Sequence, residues 1–92
     1  MEIPFTQYLR PSGRQRQVSI DLEDLAAQAA QKLLDAGYHF DIEVLSTGQV
    51  SAAIEDGDDL PLAHVVVENG PGLVPALEGM FKTASGALVR GA

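Results

Sequence analysis

The stretch "YHFDIEVL" constrains this chain more than any other, because it alternates almost without error. Tyr38, Phe40, Ile42 and Val44 share one parity, and His39, Asp41 and Glu43 share the other. A period of two places successive side chains on opposite faces of a strand, so this strand is buried on one side and wet on the other. "STGQ" follows as a turn, with Gly48 at the permissive position. "VSAAIE" resumes the pattern with Val50, Ala52 and Ile54 inward, which predicts an antiparallel partner. "LPLAHVVVE" reads as a further strand, with Pro61 at its start or on an edge.

Around this core the remaining elements fall into place. "EIPFTQYL" and "QRQVSI" are strands flanking a turn, "RPSGR", in which Pro11 pre-sets φ and Gly13 accepts φ > 0. A helix begins near Asp21, a good N-cap, with Glu23 and Asp24 in the first turn. Leu22, Leu25, Ala26, Ala29, Leu33 and Leu34 make its apolar stripe, and Gly37 closes it. After the breaker "NGPG", Leu73, Val74, Leu77, Met80, Phe81 and Ala84 mark a second helix. The order ββαβββα predicts an α+β domain over residues 1–86, with one antiparallel sheet and both helices on one face. Residues 87–92 read as a flexible C-terminal tail.

Ninety-two residues suit one domain with a modest core. The chain has no cysteine, which removes disulfides, thiolate catalysis and zinc–thiolate sites. No apolar run approaches the ~20 residues that cross a bilayer, and the N-terminus lacks a basic segment followed by an apolar one. A cytoplasmic protein without signal peptide or membrane partner is the expectation. Charge is uneven: residues 1–20 sum to +2 and residues 21–92 to −9, giving −7 overall. Such a surface repels nucleic acid backbones, so no nucleic acid partner is expected. The order αβββα over residues 21–86 is that of a double-stranded RNA-binding domain, but Lys82 beside Glu78 is a poor substitute for its basic helix.

Four groups of residues raise chemical questions. Arg10, Arg14 and Arg16 flank the Pro-Ser-Gly turn and could converge on a phosphate, a carboxylate or an acidic partner, a second copy included; polar turns look the same without a ligand. "PSGRQRQ" has no P-loop spacing. His39, Asp41 and Glu43 share a face at steps of about 6.6–7 Å, which makes a partner-facing sheet surface. A metal there needs a ligand from a neighbouring strand, such as His64. Asp56, Asp58 and Asp59, next to Glu55, are weak cation ligands out of EF-hand register, so no metal is assigned. Asn69 and Gly70 precede a helix N-terminus, where an anion can sit. No serine lies in a nucleophile elbow, and no cofactor motif is present.

"IPFTQYLRPSGR", "AGYHFDIEVLSTGQVSAAIED" and "VENGP" resemble a family of short, functionally uncharacterised proteins of bacteria and their phages or prophages. The resemblance spans roughly residues 3–84 and implies an accessory role, with no activity, cofactor or site residue to carry over. The function expected is a non-enzymatic protein-binding module with an unknown partner, or a homodimer. The alternatives are an acidic DNA mimic that occupies a nucleic-acid-binding protein, or a small-ligand-binding or enzymatic domain. Mimicry predicts salt-sensitive binding to a basic protein, and an enzyme predicts a cleft with strongly perturbed ionisable groups.

Overall fold

A computed structural model describes residues 1–91, with side chains through residue 87. Strands β1 (Glu2–Leu9) and β2 (Arg14–Asp21) lead into helix α1 (Asp24–Asp35). Strands β3 (His39–Val44), β4 (Gln49–Glu55) and β5 (Pro61–Glu68) follow, and helix α2 (Leu73–Gly91) ends the chain. The five strands form one mixed sheet in the order β2-β1-β3-β4-β5. The α+β class and element order agree with the sequence reading. The expected tail at 87–92 overlaps the end of α2, which runs to Gly91, and residue 92 lies outside the described residues.

One pairing differs from the expected antiparallel sheet: β1 and β3 run parallel, with Thr6 opposite Asp41 and Leu9 opposite Val44. The β1–β2, β3–β4 and β4–β5 pairs are antiparallel. The cause is the route of the chain. β2 ends with Asp21 opposite Glu2, at the starting end of β1. Helix α1 then carries the chain over β1, and β3 enters from that same end. A strand connected through a helix can pair in parallel, whereas a tight turn cannot do this.

The inward parity of every strand feeds one core. Ile3 and Phe5 of β1, Phe40 and Ile42 of β3, and Val50, Ala52 and Ile54 of β4 are buried with Leu33, Leu77 and Phe81 of the helices. The rings of Phe40 and Phe81 lie 4.5 Å apart between centroids, and Phe5 stands 5.7 and 5.8 Å from them. These tilted contacts are favourable for aromatic quadrupoles. Helix α1 buries Ala26, Ala27, Ala29 and Ala30, whose small side chains let it lie close to its neighbours. Leu25, expected in that stripe, is 64% exposed, because the buried arc is centred on the alanines.

The N-cap of α1 is Glu23, and not Asp21 as the sequence suggested. Its side chain accepts from the Ala26 N–H at 2.8 Å and meets Lys82 Nζ at 2.8 Å. Asp21 is instead the last residue of β2, where it accepts from the terminal amine of Met1 at 2.6 Å. Glu78 of α2 accepts from the Glu23 N–H at 2.8 Å, so both helices are tied at the start of α1. Gly37 takes φ +95° just past α1, as expected of a helix-ending glycine. Among the described residues, no helix is long and apolar enough to cross a membrane.

Candidate functional site

Both helices pack on one face of the sheet, so the polar parity of each strand forms the open face. A concavity of about 480 Å³ lies there. Its shape follows from side-chain size. Thr6, Asp41 and Ala53 stand in one row across β1, β3 and β4, and Ser51 adds a second short side chain. Longer groups rise around them: Tyr8 from β1, Arg10 from the turn just after it, His39 and Glu43 from β3, and Glu55 from β4.

One side of the rim is held by Arg10. Its Nε donates to Glu43 Oε2 at 2.8 Å, and its guanidinium lies 5.7 Å from the Tyr8 ring centroid. The opposite side is acidic. His39 faces Glu55 directly across the β3–β4 ladder, and Asp41 is two residues along β3. His39 Nε2 is 3.8 Å from Asp41 Oδ2, 3.7 Å from Glu55 Oε1 and 3.3 Å from Asp59 Oδ1. Asp59 reaches over from the β4–β5 loop, in a left-handed backbone conformation (φ 62°) that aspartate tolerates.

This crowding acts on Glu55. Glu55 is pushed up to about 7, first by sharing a proton with Asp41, then by desolvation and the Asp41 charge; His39 opposes the rise. The Tyr8 phenol is also raised, mainly by the negative charge of Asp41. Two carboxyls sharing one proton can exchange it with a bound group or surrender it to a cation.

Of the residues singled out in the sequence, His39, Asp41 and Glu43 all line the concavity. The three arginines do not converge. Arg10 faces the acidic concavity, whereas Arg14 pairs with Leu9 and Arg16 with Gln7, on the face that carries the helices. Arg16 Nε donates to Gln7 Oε1 at 2.7 Å. In the turn, Ser12 Oγ donates to the Leu9 carbonyl and accepts from the Arg14 N–H, both at 3.3 Å.

The loop aspartates also separate. Asp56 Oδ1 accepts from the N–H groups of Asp58 and Leu60, so Asp56 shapes its own turn. Only Asp59 joins the cluster on the open face. His64 stands opposite Ala53, a strand further out. The neighbouring-strand ligand is therefore Glu55 and not His64. Its signal was in the sequence: if Val50, Ala52 and Ile54 point inward, Ser51, Ala53 and Glu55 point outward. Comparison with protein-family models, curated proteins and solved structures finds no match.

Proposed function

We propose that this protein is a non-enzymatic accessory module that docks a basic protein partner on the open face of its sheet. The observation that carries this reading is the acidic corner of the concavity. Asp41, Glu55 and Asp59 crowd together there around His39, while Arg10, the other cation lining the hollow, is paired with Glu43. An incoming Lys or Arg would relieve that potential, and a complementary charge also speeds encounter. Tyr8 and Arg10, residue types favoured in interface centres, are already held in place beside it. Val66, exposed and opposite Ser51, adds apolar area toward the β5 edge. The resemblance to short bacterial and phage proteins fits an accessory role.

The DNA-mimic reading draws less support. A phosphate mimic needs separated, fully charged groups, and the crowding here returns a proton to Glu55 near neutral pH. A second reading, acid–base catalysis, is favoured by that same Glu55, since a carboxyl near 7 in a hollow suits proton transfer.

Capture from lysate on immobilised protein tests the docking reading. Wild type and Arg14→Ala/Arg16→Ala are expected to retain the same basic protein at low salt and release it at high salt. Asp41→Asn/Asp59→Asn is expected to lose it. Capture that survives the acidic substitutions refutes the assignment of this face.

A further inference from the structure

We propose that His39, Asp41 and Glu55 bind a divalent transition-metal ion of the zinc class, with Asp59 closing over it as a fourth ligand. This goes beyond the docking reading and does not rest on it, because metal binding is a property of the isolated protein.

The first argument is spacing. Zinc bonds of about 2.1 Å in a tetrahedron place donor atoms ~3.4 Å apart. The distances from His39 Nε2 to the three carboxylate oxygens are 3.3, 3.7 and 3.8 Å. Donor atoms of His39, Asp41 and Glu55 all lie within 4.8 Å of one another. The His39 distances thus differ from the tetrahedral spacing by no more than a few tenths of an ångström.

The second argument is rigidity. Three of the four groups stand on paired strands, and cross-strand register alone brings His39 and Glu55 together. Ligands on regular elements lose little freedom on binding. Asp59, exposed and on a loop, is the adjustable member. The third argument is ligand type. One imidazole with carboxylates suits zinc, iron or cobalt, whereas calcium and magnesium prefer oxygen alone. The fourth is charge: a dication would offset the mutual repulsion of the carboxylates gathered there. The hollow above leaves room for a water or for a donor from another molecule.

The same corner serves both proposals, so bound metal would oppose a basic partner. Titration calorimetry of the purified wild-type protein with Zn²⁺ alone tests the site, with Co²⁺ absorption reporting geometry. The expected result is one ion per chain and a tetrahedral Co²⁺ spectrum. His39→Asn, Asp41→Asn and Glu55→Gln should each weaken binding by at least about tenfold, since disturbing even supporting groups costs 10–100-fold. Asp58→Asn, in the same acidic loop but outside the cluster, should change nothing. Circular dichroism of each variant separates lost ligation from lost folding. No saturable binding overturns the proposal. So does equal weakening by Asp58→Asn and Asp41→Asn, which would mean diffuse attraction to negative charge. Partner capture without metal binding would sink this site and spare the docking face, and the reverse result would do the opposite.

Discussion

Replacing Glu55 with Gln should stabilise the protein in alkaline solution and leave it nearly unchanged in mild acid. The fold raises this carboxyl from its ordinary 4.5 to about 7. Between those values the native state holds a proton that the unfolded chain releases. Stability from this group is therefore complete below the unfolded value and is lost as pH rises through the folded one. A rise of that size corresponds to roughly 3 kcal/mol if undamped. The Glu55 side chain is 20% exposed and faces an open hollow, and screening there reduces the figure to about 1–2 kcal/mol. Glutamine keeps the shape and never ionises. Denaturant unfolding of both proteins at roughly pH 5 and roughly pH 8 reads the difference. The variant should match wild type at the lower pH and exceed it by about 1–2 kcal/mol at the higher, or ~4–16 °C in melting temperature for a domain of this size. The groups facing Glu55 are His39, Asp41, Asp59, Tyr8 and Arg10, and all are common to both proteins. Parallel stability curves between the two pH values would refute the crowding argument.

Phe81→Ala removes the ring that bridges Phe5 and Phe40, and should cost about 3–5 kcal/mol by urea unfolding. Against a typical total of about 5–15 kcal/mol, that leaves the domain marginal. Gly37→Ala places a side chain at φ +95° in the turn after α1, where no neighbouring atom lies within 4 Å of the added carbon. The penalty is then backbone strain alone, about 1 kcal/mol, seen as a small fall in the unfolding midpoint with no change in slope.

Local periodicity made the elements legible. Phe40, Ile42 and Val50 announce their face through neighbours one or two residues away, and α1 does so through its repeating alanines. Strand order is another matter. The β1–β3 pairing joins Thr6 to Asp41, and nothing within either strand encodes that meeting. The arginine cluster misled for a related reason. Nearness in the chain is not nearness in space, and cross-strand register sends Arg14 and Arg16 to the side of Leu9 and Gln7 while Arg10 stays with Tyr8. Glu55 closed the strand reading "VSAAIE", as it closes β4, yet it was weighed only as a neighbour of the loop aspartates that follow it. Histidine and three carboxylates meet because the strand pairing and one loop bring them together.

The parallel ladder between β1 and β3 also divides the molecule's history. Everything before Gly37 is one hairpin and one helix, and everything after it is a three-strand meander and another helix. Each half is assembled from near neighbours along the chain. The seam between them closes a loop of 35 residues from Thr6 to Asp41, an entropic toll of about 3 kcal/mol by loop-closure scaling. Only four register pairs form that seam, so its completion depends on Phe5, Phe40 and Phe81 meeting beneath it. The two halves thus behave as a clasp: local structure shapes each side, and aromatic burial fastens them.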